Sequence, residues 1–260
     1  MPIQKTFFEE DTLDDLLRLV LDELLKNKDE LIVTTKGSST EIFGGMLTLR
    51  NPRARLSRSE SKGKVFSALG ELFWYLSKSN SLPFIEYYLP SSKLHEESDD
   101  GTTLRNGYGE RLFNKDGQNQ IENIISLLSR KSTSRKAVIQ LFDASDLSAN
   151  YKSIPCTCSL QLAIRNQKLD LLVNMRSNDA YKGLPHDIFA FTMLQEIIAR
   201  TLKIDVGIYK HCAGSLHLYE NDFEQAANYL GEGWQSKIDM PPMPAGDPWE
   251  ALSAVQKLEK

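Results

Sequence analysis

The sequence predicts a single α/β or α+β domain, and three observations carry that prediction. The chain has 260 residues, long for a small domain but within reach of one core. Hydrophobic residues make up 41% and charged residues 25%, the balance of a globular chain and not of a disordered one. Helical and strand-like apolar patterns succeed one another with no internal repeat, no low-complexity tract and no linker long enough to divide them. Residues 1–260 are therefore expected to form one domain.

The elements follow in order. From Asp11 to Asn27, Leu13, Leu16, Leu17, Val20, Leu21, Leu24 and Leu25 recur at helical spacing, with Asp11 or Thr12 as N-cap. Thr40–Leu49 reads as strands around a Gly44-Gly45 turn, and Val65–Leu76 as a largely buried helix carrying Glu71. Pro90–Gly107 is polar and turn-rich, the candidate mobile loop. A short helix is expected over Ile121–Ser129 and strands over Ala137–Phe142, Ser159–Ile164 and Leu169–Asn174. The last two strands form a hairpin through Arg165-Asn166-Gln167-Lys168. Phe189–Leu202 is a long apolar helix, Glu220–Leu230 another, and Met240–Trp249 a proline-rich tail with a short helical end.

Bulk properties exclude several roles. A net charge of −4 lacks the basic excess of a general nucleic-acid-binding domain, although one local phosphate pocket is compatible with it. Three cysteines are too few, and odd in number, for a disulfide framework. No apolar run nears ~18 residues and Met1–Glu10 has no signal-peptide core, so a cytoplasmic protein without membrane or nucleic-acid partners is expected.

Two places concentrate chemistry. Cys156 lies in Ile154-Pro155-Cys156-Thr157-Cys158 before a strand. It is either an ordinary buried cysteine or a nucleophile whose thiolate is favoured by cationic neighbours. The Cys-x-Cys pair is too small a set for zinc, and no metal is expected. Arg176 to Asp187 joins a strand to a helix and crowds an arginine, a serine and carboxylates into one connection. It reads either as a polar turn with a helix N-cap at Asp187 or as an anion site.

The ordered set Glu71-Leu72-Phe73-Trp74, Tyr108-Gly109, Ser134-Arg135-Lys136, Pro155-Cys156, Gln161, Arg176-Ser177-x-Asp179-x-x-x-Gly183-Leu184-Pro185 and His217-Leu218-Tyr219 resembles thymidylate synthases. It is also similar to their relatives, the deoxycytidylate and cytidylate hydroxymethylases, most strongly over residues 40–225. The resemblance implies an α+β fold built on a large twisted mixed sheet with flanking helices. Two such sheets pack back to back in a homodimer whose active sites are shared between subunits. It implies 5,10-methylenetetrahydrofolate as one-carbon donor and a pyrimidine nucleoside monophosphate as acceptor. Cys156 matches the nucleophile that adds to C6 of the pyrimidine, the covalent strategy of splitting one hard step into easier ones. Glu71 and Tyr108 match the proton-handling network, and Arg176 and Ser177 match phosphate ligands. Arg135 matches a phosphate ligand given by the partner, and Lys136 stands where a second arginine is usual. His217 and Tyr219 match the sugar-binding pair, and Gln161 and Asp179 match residues supporting the nucleotide. Lys36 is the candidate for the N-terminal phosphate cation.

Departures from the synthase pattern direct the functional expectation. Asp187 stands where synthases carry asparagine, and an aspartate there marks the cytosine-directed hydroxymethylases. A carboxyl group accepts at one oxygen and, protonated, donates at the other, which suits the 4-amino group and N3 of cytosine. The Pro90–Gly107 loop has no tryptophan, and Met240–Lys260 does not resemble the synthase tail that closes over the folate. Both argue against a water-free site for hydride transfer. Thr157 and His186 replace a histidine and an aromatic residue. Hydroxymethyl transfer to C5 of a cytidine monophosphate is therefore expected. Thymidylate synthesis from deoxyuridylate and a non-catalytic nucleotide-binding relative are the alternatives.

Overall fold

In the computed structural model, which describes residues 4–63 and 65–258, seven strands form one mixed sheet. The strands are β1 (Phe7–Glu10), β2 (Ile32–Thr34), β3 (Gly37–Leu49), β4 (Val138–Gln140), β5 (Thr157–Arg165), β6 (Lys168–Asp179) and β7 (Asp205–Tyr219). The order is β1-β3-β7-β6-β5-β4, with β2 paired to the start of β3 as a hairpin. The β1–β3 and β6–β7 pairs are parallel and the rest antiparallel. The β5–β6 hairpin forms as expected, because Asn166 and Gln167 take the left-handed conformation (φ 49° and 58°) that a two-residue turn requires.

The structure departs from the expected elements in three places. Thr40–Leu49 is not a pair of strands about a turn but part of one continuous strand. Gly44, at φ 75°, absorbs a local kink while β3 stays in register with β7 on both sides. Central strand β7 was not anticipated: its Lys210, His211, Gly214 and Ser215 hide the apolar alternation by which strands are recognised. Pro90–Gly107 is not structureless either. It contains α4 (Ser92–Glu97), and Asp100 then accepts the backbone N–H groups of Thr102 and Thr103, each at 2.7 Å.

Helices cover one face. α1 (Leu13–Lys26) is capped by Thr12, whose Oγ1 accepts from Asp15 N at 3.1 Å, and it buries Leu13, Leu16, Leu17, Val20, Leu21 and Leu24. Each such side chain is worth about 1.5–3 kcal/mol against exposure. α2 (Val65–Leu76) packs on α7 (Gly183–Thr201), which is buried nearly all round and crosses β6 and β7. α3 (Leu82–Tyr88), α5 (Tyr108–Phe113), α6 (Gln120–Arg130) and α8 (Phe223–Gly231) complete the layer. α7 starts at Gly183, six residues earlier than expected, so Asp187 lies inside the helix and is not its N-cap.

Among the described residues the opposite face of the sheet carries no helix. Along β5, β6 and β7 buried residues largely alternate with half-buried ones such as Gln161, Leu172, Asn174 and Cys212, and Phe43 is 78% exposed. The C-terminal segment is tied down away from this face. Met240 N donates to Arg53 O at 2.9 Å, and Met243 N to Glu196 Oε1 at 3.0 Å. α9 (Pro248–Leu258) then docks on the end of α7, where Trp249 Nε1 donates to Thr201 Oγ1 at 2.9 Å. Among the described residues no helix is long and apolar enough to cross a membrane.

Candidate active site

A cavity of about 730 Å³ opens where the ends of β6 and β7, the starts of β3 and β5, and α2, α5 and α7 converge. Ten expected site residues line it: Lys36, Glu71, Tyr108, Cys156, Arg176, Ser177, Asp179, Asp187, His217 and Tyr219. A larger cleft of about 1190 Å³ lies at the other end of the sheet and gathers none of them.

Cys156 is placed by strand pairing and by one arginine. Its carbonyl accepts Arg176 N at 2.8 Å, and the Arg176 side chain donates to Pro155 O at 2.9 Å and Ile154 O at 3.2 Å. Nη2 of the same guanidinium lies 3.7 Å from Cys156 Sγ. The expected cationic neighbour is therefore present, but it does not dominate. Burial pushes the thiol up, Arg176 and Lys36 pull against this, and Asp187 and Glu97 add to it. Burial thus disfavours the thiolate more than these two cations favour it.

Tyr108 opens α5, and its hydroxyl accepts Thr157 N at 2.9 Å, beside the cysteine. Gly109 follows because a Cβ there would meet Ser79 O at 2.5 Å; the helix can approach that backbone only without a side chain. Burial first, then Cys156 and Asp187, keeps the Tyr108 hydroxyl well above the usual phenol range. On α2, Glu71 Oε1 accepts the Tyr75 hydroxyl at 2.6 Å, an i,i+4 pair, and Oε2 lies 3.9 Å from His186 Nδ1.

Asp187 is buried, and its Oδ2 accepts Asn178 Nδ2 at 2.7 Å. Burial raises this carboxyl well above its ordinary range, as do Glu71 and Asp179, while the Asn178 bond opposes them. The group is set to hold a proton where free carboxylates have lost theirs. His186, next in sequence to Asp187, turns toward Glu71 and Ser67.

Asp179 shapes the turn into α7 by accepting Tyr181 N at 2.8 Å and Lys182 N at 2.9 Å. Across neighbouring strands Glu41, His217 and Asp179 stand in one row. Ser215 donates to Glu41 and lies 3.4 Å from His217 Nδ1, and His217 meets Tyr219 edge-on at 4.9 Å. Lys36 projects from the tip of the β2–β3 hairpin and pairs with Glu97 at 2.7 Å.

Three expected residues are not brought to the cavity. Gln161 sits on the helix-free face, where its Nε2 donates to Arg135 O at 3.4 Å. Arg135 and Lys136 are exposed just before edge strand β4. Conversely, Trp74, Asn106, Asn178, Glu41 and Lys182 line the cavity without having been singled out. Asn178 and Lys182 lay inside the Arg176–Asp187 run and Trp74 beside Glu71, while Asn106 and Glu41 lay in Pro90–Gly107 and Thr40–Leu49, segments read only for their structure. Trp74 Nε1, Asn106 Oδ1 and Asn178 Oδ1 are buried without a hydrogen-bond partner among the described residues. Among the described residues no three His, Cys, Asp or Glu side chains are grouped to hold a metal.

Comparison with known proteins places the chain in a family. The thymidylate synthase family model matches residues 14–242. A deoxyuridylate hydroxymethyltransferase of Delftia phage PhiW-14 is 29% identical over 206 residues, 74% of this chain and 56% of that protein. Another, of Pseudomonas phage M6, is 29% identical over 182 residues, 69% of this chain and 51% of that protein. The chain thus spans about half the length of these phage relatives. A thymidylate synthase of Francisella philomiragia subsp. philomiragia is 26% identical over 244 residues, 87% of this chain and 85% of that protein. The crystal structure of thymidylate synthase from T4 phage superposes with a TM-score of 0.75 at 21% identity, covering 92% of this chain and 91% of that one. The mixed seven-stranded sheet with its helical layer is the fold of that enzyme, and the chain belongs to the thymidylate synthase family.

Proposed function

We propose that this chain transfers a hydroxymethyl group from 5,10-methylenetetrahydrofolate to C5 of a cytidine nucleoside monophosphate. The observation that carries the reading is Asp187, a buried carboxyl disposed to keep its proton, in one cavity with Cys156 and Glu71. Cytosine offers an amino donor and a ring nitrogen acceptor. A carboxylic acid answers both, and sharing its proton with N3 makes C6 a better target for a thiolate.

In this reading Cys156 adds to C6, which turns C5 into a carbon nucleophile. Glu71 and Tyr108 move the protons, including the one that burial makes costly to remove from Cys156. Arg176, Ser177 and Lys36 hold the phosphate, with the Arg176 guanidinium suited to paired contacts. His217 and Tyr219 hold the sugar, and Asp179 fixes the turn that carries this wall. Methylenetetrahydrofolate supplies the one-carbon unit when bound.

The fate of the one-carbon unit follows from water. Trp249 anchors the C-terminal segment at Thr201, fourteen residues along α7 from Asp187, about 20 Å away at 1.5 Å per residue. That segment is not spent on covering the cavity, and water that reaches the activated one-carbon unit yields a hydroxymethyl product.

Assembly belongs to the same proposal. The helix-free face, with Phe43 78% and Val138 47% exposed, packs against its counterpart in a homodimer. Arg135 and Lys136, exposed at its edge, reach the partner's phosphate site, and Gln161 supports the site from within the interface.

A second reading has support of its own. A protonated carboxyl can also donate to O4 of uracil and accept from N3–H, and two of the relatives are named as deoxyuridylate enzymes. Incubation with methylenetetrahydrofolate and each of CMP, dCMP, UMP and dUMP, followed by mass spectrometry, separates the readings. Hydroxymethylated cytidylate supports the first and hydroxymethylated deoxyuridylate the second. A methylated product, with the absorbance rise of dihydrofolate, would make the chain a synthase.

A further inference from the structure

α2 and the first turns of α7 form a partition between two cavities. Glu71 faces the 730 Å³ cavity, while His186 lines a separate pocket of about 280 Å³ with Ser61, Lys62, Ser67 and Lys182. The two side chains meet across the partition. His186 Nδ1 is 3.9 Å from Glu71 Oε2, and Nε2 is 3.0 Å from Ser67 Oγ. The imidazole keeps 28% of its side-chain surface exposed.

A nucleotide joined to Cys156 occupies the first cavity beside Glu71, and turnover requires protons to pass through Glu71 and to leave it again. We propose that His186 is a proton relay that connects Glu71 to the solvent of the second pocket. The inference rests on the reading of Glu71 as the proton-handling carboxyl. The protonated Glu71 gives its proton to Nδ1 of the neutral ring, and the ring's Nε2 proton passes to Ser67 Oγ. The serine's own hydroxyl proton then passes to pocket water. The carboxylate is regenerated, no electrons change owner, and the ring resets by exchange with the same water. The 3.9 Å gap is of the kind that side-chain rotation closes when substrate binds. His186 acts through Glu71 and is a positioning and relay residue.

The test uses the full chain, whichever pyrimidine monophosphate it turns over, and the variants His186→Ala, His186→Phe and Glu71→Gln. Phenylalanine keeps the aromatic packing if alanine unfolds the helix start. Both His186 variants should lose about 10- to 100-fold in kcat, with nucleotide KM within about threefold of wild type. Added imidazole, entering by the pocket that alanine vacates, should restore turnover to His186→Ala and not to His186→Phe. Wild-type kcat in His186→Phe would overturn the relay, as would a folded His186→Ala that imidazole cannot restore. Full turnover by Glu71→Gln would overturn the role of Glu71 itself, a separate outcome from loss at Glu71 with no effect at His186.

Discussion

Replacing Asp187 by asparagine should move base preference from cytosine toward uracil. Asn178 Nδ2 donates to Asp187 Oδ2 at 2.7 Å, so in Asp187→Asn it holds the amide oxygen on its own side and turns the NH2 to the base. Against cytosine that places two donors face to face at the 4-amino group, a cost of about 1–3 kcal/mol, and against uracil it keeps a donor on O4. The ratio of kcat/KM for the two bases should thus shift by about 1–3 kcal/mol, roughly 5- to 140-fold at 1.4 kcal/mol per factor of ten. Tritium release from C5-labelled CMP, dCMP, UMP and dUMP measures it. A ratio within about threefold of wild type would refute the reasoning. A wild type that already prefers the uracil nucleotide would refute the cytosine assignment. The same substitution has a stability signature. Burial, Glu71 and Asp179 raise the Asp187 carboxyl, so the folded chain holds a proton that the unfolded chain releases above about pH 4. Folded-state stability from this group is full below that pH and is lost as pH rises toward the folded value. The amide carries no such proton, so the Tm of Asp187→Asn relative to wild type should climb from pH 5 to pH 8.

Three further outcomes are expected. Cys156→Ser should bind nucleotide yet lose C5 tritium release by about 10³-fold or more, because a serine hydroxyl is a far weaker nucleophile, while Cys158→Ser and Cys212→Ser turn over normally. Normal exchange by Cys156→Ser would end the covalent mechanism. Mixing and refolding inactive Cys156→Ala with inactive Arg135→Ala should restore up to roughly a quarter of wild-type activity, since half the dimers are mixed and each keeps one intact site. No recovery in a mixture shown to exchange subunits would place Arg135 outside the partner's site. His211 is buried, and burial lowers it to about 3, so below its unfolded value the unfolded chain binds a proton that the folded chain does not. Stability should fall with acidification by up to about 1.4 kcal/mol per pH unit from this residue, and His211→Gln should flatten urea-denaturation midpoints between about pH 6 and pH 4. An unchanged slope would mean the imidazole is not held neutral.

The sequence by itself determined what local pattern and chemistry can encode. α1 and α2 were legible because their apolar residues recur every turn, and the β5–β6 hairpin because two strand-like runs flank a short polar turn. Arg176 and Asp187 drew attention because their run holds more polar and charged chemistry than a connection needs, whereas Cys156 and His217 took their expected roles from the resemblance to the family's ordered motifs. The tertiary structure alone decided the rest. β7 became a strand because β3 and β6 bond both its edges, which satisfies a backbone whose own side chains carry little alternation. Asn178 joined the site through a bond to a residue on the next element. Gln161 was placed on the helix-free face by the period-two geometry of β5. The direction of the Cys156 shift depended on burial outweighing Arg176, a balance no motif states. Glu71 and His186 lie 115 positions apart, and only the packing of α2 on α7 brings a carboxylate and an imidazole to either side of one wall. Such contacts are set by how distant elements fill space together, and spacing along the chain does not record that.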